Sequence, residues 1–507
     1  MSFVTGTTTN IPMNIELRRH RLAIVLFLWV IAVFAFALTL KITGPQLSWD
    51  GQDYAQLARQ LVRGEGHTSK LLLSSLAQSA RDDEPWPSVF RPPFPVFLTS
   101  LSFRLFGISD VTAVLWSGLF YIGTVVLIFL GFEPILGAEV ALLSAMIFAL
   151  SGCGLIYARS GLTEPSAMFF LLCGFLVVVN KHFGFSAVGA GASLSLCALN
   201  RPVAYLWAVV VLGYSFVCRN SSRQRRLAQL GLGSIGFLIP LLLVKFALHW
   251  KGGGHELFAL NLANRIGDQA LAIQSPVSFV LHHPLEMLAK VLHEAARVCM
   301  YLFQFGNITL FSAMSIFALF LPAQPVERDA RNITIALVFL TAGALAFLTE
   351  GDAFVGPLRY FDVFTPLLLP WGVSAFLAFL NHRTGVRNYA IFGLFGLYLL
   401  GAGAQAIRDP FARLHSSDRA IFRELHEIVP ETEVIAATGS VNVPSIAWYG
   451  DRRAVFIESD VENSLSWLSQ KGIPVKWYFG KDSDQVPRGF LKLKQWPGGF
   501  VLFRKSD

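Results

Sequence analysis

Apolar runs long enough to cross a lipid bilayer recur along this chain, and they limit its fold more than any motif does. About eleven can be counted, near residues 22–40, 111–130, 138–153, 163–179, 184–199, 203–218, 227–248, 308–322, 333–349, 363–380 and 389–405, where each crossing needs roughly 20 apolar residues. Hydrophobic residues make up 54% of the chain and charged residues 15%, whereas a soluble domain carries about a quarter charged. Mean hydropathy is +0.53. The sequence predicts a polytopic, all-α membrane domain.

Placing the N-terminus in the cytoplasm puts Arg18, Arg19, Arg21, Lys181, Arg219, Arg223, Arg225, Arg226, Arg328, Arg331, Arg383 and Arg387 on the inner side, as the positive-inside rule requires. The segment GFEPILGAE, 131–139, reads as an inner loop yet carries only acids. From residue 406 onward acids and bases nearly balance, so the net charge of +8 belongs to the membrane part. That charge reports topology and anionic lipid, not nucleic acid. The five cysteines (Cys153, Cys173, Cys197, Cys218, Cys299) lie unpaired in spacing within apolar segments and read as small buried hydrophobes. Ala35, Phe36 and Ala37 end a run that follows basic residues, a signal-peptidase pattern, but an uncleaved anchor is expected there.

Two outer loops are long, 41–110 and 249–307, and long ordered loops commonly carry function. In the first, Tyr54, Leu57, Ala58, Leu61 and Val62 recur with helical period while Arg59, Gln60 and Arg63 take the opposite face. This predicts an amphipathic helix along the membrane surface. A second helix is expected after Pro92 and Pro93, ending at Gly107. In the second loop a helix is expected from Pro284 to Phe303, and five histidines, His255 among them, lie in or near the outer aqueous layer. Beyond Gln405 the apolar runs stop. A helix at 416–428, strand EVIAATGS, helical SIAWYG, strand AVFIES, helical SLSWLSQKG, strand VKWYFG and a final pair LKLKQW and FVLFRK predict a small α/β unit. The expected division is therefore 1–405, a membrane domain, and 406–507, an extracytoplasmic α/β domain.

The candidate chemistry begins at WDGQDYAQLARQL, 49–61, with Asp50 and Asp53 at the head of a helix. Their spacing is that of an N-cap with an acid three residues on, and also that of a fixed, ionised catalytic carboxylate. Further along come FRPPFPVFLTSLSFRLFG at 90–107, LTEPSAMFF at 162–170, NRPV at 200–203 and RYF at 359–361. Taken in order, this set resembles the GT-C superfamily of membrane glycosyltransferases, in particular the bacterial branch with the lipid A aminoarabinose transferase and the protein mannosyltransferases. The likeness spans about 15–380 in the order of elements, with clear motifs only in 49–107 and 155–203.

The resemblance implies a bacterial inner-membrane, multi-pass enzyme that moves a sugar from a polyprenyl-phosphate donor to a glycan, lipid or protein acceptor outside, with inversion. Asp50 matches the family's first-loop acid through its DxxxY spacing with Tyr54 and would act as base, with Asp53 as the alternative. Glu164 matches the second acid. Arg91 stands where the pattern has a lysine in EKPP and would hold the donor phosphate, a task suited to a guanidinium fork. Arg201 and Arg359 would complete the clamp, with Tyr54 and His255 as further pocket residues. Where the pattern has a metal-ligating glutamate before Lys-Pro-Pro, this chain has Phe90, which cannot bind a cation. The expectation is therefore catalysis without a metal; Asp82, Asp83, Glu84 or His255 are the residues that could substitute. The alternative class is a transporter or flippase of a lipid-linked glycan, although such proteins usually carry internal symmetry and midplane charges. Within enzymes, a ligase using a lipid pyrophosphate would share the cationic site.

Overall fold

The computed structural model describes residues 15–73, 86–88, 91–179, 185–217, 222–247, 275–302, 309–321, 325–348, 356–381, 393, 396–397, 401, 416–457 and 460–506. Helix α1 (Ile15–Thr43) has 29 residues, roughly 44 Å at 1.5 Å per residue, more than a bilayer core. Leu22, Leu26, Phe27, Val30 and Phe34 face outward from it, while Leu28, Ala32 and Ala35 are buried. That division suits a helix with lipid on one side and protein on the other. After α2 (Trp49–Arg63), three short strands and α3 (Pro93–Phe106) come α4 (Asp110–Leu136), α5 (Ala138–Ala149), α6 (Gly152–Arg159), α7 (Glu164–Val179), α8 (Phe185–Ala198), α9 (Ala204–Val217) and α10 (Arg223–Ala247). Then follow α11 (Pro276–His282), α12 (Pro284–Leu302), α13 (Thr309–Ala318), α14 (Pro325–Leu348), α15 (Gly356–Asp362) and α16 (Thr365–Asn381). Among the described residues four helices are long and apolar enough to cross a membrane, five if α5 and α6 form one span, and four shorter apolar helices accompany them. The protein is a multi-pass membrane protein. The run at 389–405 falls almost wholly outside the described residues.

Two expectations are corrected here. The run at 138–153 is not one helix: α5 stops at Ala149 and α6 starts again at an angle of 49°, with Ser151 accepting from the Gly154 N–H as its cap. The segment 131–139 is not a loop either, since α4 continues to Leu136 and only Gly137 turns the chain. Glu133 there forms an ion pair with Arg21 at 2.8 Å, which explains an acid at the end where the sequence places basic residues.

The remaining elements build one mixed sheet. Helix α17 (Ser416–Ile428), β4 (Val434–Thr438), α18 (Val443–Trp448), β5 (Arg453–Ile457), α19 (Val461–Gln470), β6 (Val475–Lys481), β7 (Phe490–Gln495) and β8 (Phe500–Lys505) match the pattern read from sequence. The unexpected member is β2 (Leu71–Leu73), which comes from the segment between α2 and α3 and pairs in parallel with β5. Strand order is β2-β5-β4-β6-β8-β7, and β1 (Thr68–Ser69) pairs separately with β3 (Trp86–Pro87). Alternate residues serve two cores: Ile435, Ala437, Trp477 and Phe479 pack with α17 and α18, whereas Val434, Ala436 and Tyr478 pack with Trp86, Leu468 and Ile473. Both faces are covered, as parallel strands require.

This unit sits on α2. Arg59 donates to the carbonyls of Ala447 and Trp448 at 2.6 and 2.8 Å, satisfying the open C-terminal end of α18. Asp451 takes Arg59, Arg63 and Lys70 at 2.9, 2.8 and 2.9 Å. Asp110, at the start of α4, accepts from Arg419, the Trp448 indole and the Tyr449 hydroxyl, and Phe103 stacks on Trp448. The polar face of α2 therefore lies under protein rather than water, and Arg59 and Gln60 are buried.

Candidate active site

Helix α2 owes its position to two glycines and a serine. Ser48 is its cap, its hydroxyl accepting from the Gly51 N–H at 3.0 Å, so Asp50 is not the capping residue that the spacing allowed. The strand-like segment before α2 pairs with the turn after α6: Gln46 N–H donates to Arg159 O and Ser48 N–H to Ser160 O, both at 3.1 Å. A Cβ on Gly51 would lie 2.1 Å from Ser160 O, and Gly161 follows with φ +68. Only this close approach brings Asp50 beside the head of α7.

Three acids and three arginines meet there in a line. Arg91 spans the first two acids, with Nε at 2.5 Å from Asp53 Oδ2 and Nη2 at 2.8 Å from Asp50 Oδ1. Arg359 continues the line, with Nη1 at 2.8 Å from Asp50 Oδ2 and Nε at 2.7 Å from Glu164 Oε1. Arg201 closes it at 2.6 Å from the same Glu164 oxygen. The order is Asp53, Arg91, Asp50, Arg359, Glu164, Arg201, and the charges cancel.

Asp50 and Asp53 share α2, Arg91 just precedes α3, and the other three members come from separate parts of the chain. Glu164 opens α7, and Arg201 lies in the turn between α8 and α9. These two are tied together by the Ser166 hydroxyl donating to Asn200 Oδ1 at 2.7 Å. Arg359 stands in the last turn of α15, a helix anchored by the Tyr157 hydroxyl donating to Asp362. Two aromatic rings back the guanidiniums: Tyr54 lies 5.3 Å from Arg91 and Tyr360 lies 4.4 Å from Arg201, contacts that favour a cation over water.

Burial differs along the line. Glu164 and Asp53 are 0% and 1% exposed, whereas the Asp50 and Arg359 side chains keep 22% and 20%. Burial by itself would raise the Asp50 carboxyl. The Arg91 and Arg359 guanidiniums more than reverse that and hold it well below the usual carboxylate range. Asp53 Oδ1 accepts from Gln56 Nε2 at 2.9 Å, so both of its oxygens are engaged. Glu164 Oε2 is buried without a hydrogen-bond partner among the described residues.

The residues singled out in the sequence thus converge: Asp50, Asp53, Tyr54, Arg91, Glu164, Arg201 and Arg359 lie together. His255, Phe90, Asp82, Asp83 and Glu84 lie outside the described residues. Asp50 and Asp53 as placed do not suit a divalent cation, because guanidinium and amide groups already take both oxygens of each. Among the described residues no group of three His, Cys, Asp or Glu side chains is placed for one. Gly51, Gln56, Tyr157 and Tyr360 are members the sequence reading passed over; a glycine beside Asp50 in a helix was the available signal for the first.

No protein-family model matches the chain, and no curated protein matches it. Solved structures do. ArnT from Cupriavidus metallidurans, bound to undecaprenyl phosphate, aligns with a TM-score of 0.60 at 12% identity over 97% of this chain and 98% of that one. The archaeal oligosaccharyltransferase AglB from Archaeoglobus fulgidus, in complex with an inhibitory peptide and a dolichol-phosphate, aligns with a TM-score of 0.60 at 12% identity over 92% of this chain and 69% of that one. The Archaeoglobus fulgidus enzyme in complex with Zn and sulfate gives 0.59 at 13% identity, over 95% of this chain and 73% of the other. The chain shares the overall fold of these solved proteins.

Proposed function

We propose that this protein is a membrane glycosyltransferase that moves a single sugar from a polyprenyl-phosphate donor to an acceptor on the far side of a bacterial inner membrane, with inversion. The observation that carries the reading is the line Asp53, Arg91, Asp50, Arg359, Glu164, Arg201, assembled from elements far apart in sequence. A departing prenyl phosphate needs fixed cations in a partly desolvated site, and an attacking hydroxyl needs a base within reach. The cluster offers a candidate for each, which supports the reading. The N-terminus would lie in the cytoplasm and the α/β unit outside.

In the reaction the acceptor oxygen attacks the anomeric carbon from the face opposite the phosphate, and its proton passes to Asp50. The bond from that carbon to the phosphate oxygen breaks, and its electron pair stays on the phosphate, neutralised by the arginines. A carboxylate held by two guanidiniums is a poor base, since its proton affinity is suppressed. The donor supplies the remedy. Its phosphate competes for Arg91 and Arg359, and as they turn toward it Asp50 loses its partners and gains basicity, so the base becomes active only with donor bound. Asp53, engaged on both oxygens, orients Arg91 instead of taking a proton.

The test uses the purified full chain in proteoliposomes with radiolabelled undecaprenyl-phosphate sugars. Wild type should transfer label to an outer acceptor or water, and Asp50→Asn should fold normally while losing about 10²- to 10⁴-fold in rate. Full activity in Asp50→Asn removes this mechanism. Transfer from a lipid pyrophosphate but not a monophosphate would move the protein to the ligase class.

A further inference from the structure

One fully buried side chain beside the site has no part in the chemistry above. Gln56 is 0% exposed, and each of its polar atoms is spoken for. Its Nε2 donates to Asp53 Oδ1 at 2.9 Å and to Ser69 Oγ at 2.8 Å, and its Oε1 accepts from the Lys70 backbone N–H at 3.0 Å. A carboxamide taken out of water is costly unless satisfied in this way, and an apolar residue would serve mere packing better.

Its partners lead in two directions. Asp53 holds Arg91 through its other oxygen at 2.5 Å. Ser69 donates to the Leu71 carbonyl at 2.8 Å and accepts from the Leu71 N–H at 2.9 Å, and the Lys70 carbonyl accepts from Ala454 N–H at 2.7 Å. Leu71 opens β2, aligned with Ala454 of β5. The carboxamide therefore stands between the edge of the C-terminal sheet and the carboxylate that aims Arg91.

We propose that Gln56 is a positioning residue: it fixes Asp53, and through Asp53 the Arg91 fork, to the C-terminal sheet, so that the extracytoplasmic unit sets the anion-binding geometry. The functional consequence rests on the reading of Arg91 as a phosphate ligand; the geometric part does not. Without Gln56, Asp53 keeps its charge but loses its direction. Arg91 then samples orientations in which its fork no longer spans Asp53 and Asp50.

The experiment reads Arg91 directly, as its rate of phenylglyoxal modification followed by peptide mass spectrometry in the full-length, detergent-purified protein, with Arg201 as internal reference. Gln56→Leu and Asp53→Asn should each speed Arg91 labelling severalfold and leave Arg201 unchanged. The double variant should label no faster than the faster single, because both act on one contact. Ser69→Ala, a milder change that removes one anchor of Gln56, should give a smaller increase in the same direction and serves if Gln56→Leu does not fold. Wild-type labelling of Arg91 in these variants, equal acceleration of Arg201, or multiplication of the two single effects overturns the proposal. Undecaprenyl phosphate binding gives the functional arm: the dissociation constant should rise about tenfold in Gln56→Leu, which is 1.4 kcal/mol. If wild type itself does not bind that lipid, the donor reading fails while the labelling series still decides the role of Gln56.

Discussion

Gly51 has no room for a side chain, because a Cβ there would lie 2.1 Å from Ser160 O. Gly51→Ala must push α2 away from the turn after α6, at a cost near the upper end of about 1–3 kcal/mol for overpacking against backbone. The outcome expected is a lower unfolding temperature together with loss of transfer, since Asp50 moves with the helix; a neutral Gly51→Ala would show that the contact is slack. At the cation positions the fork matters as much as the charge. Arg91→Lys keeps the charge but cannot span Asp50 and Asp53, now held at 2.8 and 2.5 Å, and should weaken donor-lipid binding about tenfold, measured by native mass spectrometry. Arg201→Lys leaves the Asp50 contacts in place and should cost less.

Helix α2 belongs to two bodies at once, which gives it a measurable pH dependence. Burial pushes the Asp451 carboxyl up, but the hydrogen bonds and charges of Arg63, Arg59 and Lys70 outweigh it and bring it from 3.8 down to about 2. A depressed folded-state pKa means stabilisation that is fully present above 3.8 and is lost as pH falls toward about 2. Hydrogen exchange at the Leu71–Leu73 amides should therefore be faster in Asp451→Asn than in wild type at pH 7. The gap should close as the pH approaches 2; a gap that persists there would assign the docking to other contacts. At this scale the sequence was legible where pattern is local. Alternating apolar residues marked the C-terminal strands, and Pro93 and Gly107 bounded α3. It was not legible where the partner is remote: a three-residue strand, Leu71–Leu73, carries no periodicity of its own, and its neighbour β5 lies some 380 residues away. The break between α5 and α6 was hidden because both halves are apolar, and hydropathy does not register a capping serine.

The whole molecule shares the fold of the ArnT and AglB structures, and its clustered acids and arginines could be picked out in the sequence by order, as DGQDY, FRPP, LTEP, NRP and RYF. Their order in space was not. Sequence gave no reason to place Arg359 between Asp50 and Glu164, or to give Asp53 to Arg91, because those neighbours are set by how α2, α7 and α15 pack. That packing turns a list of candidates into a single neutral line of charge, with Arg359 as its central bridge. The most direct measurement is the affinity of undecaprenyl phosphate for wild type and for Arg359→Gln, both shown to be folded, in the same detergent. Binding at least tenfold weaker in the variant, about 1.4 kcal/mol, is the result predicted; equal affinity would contradict a donor phosphate held by this line.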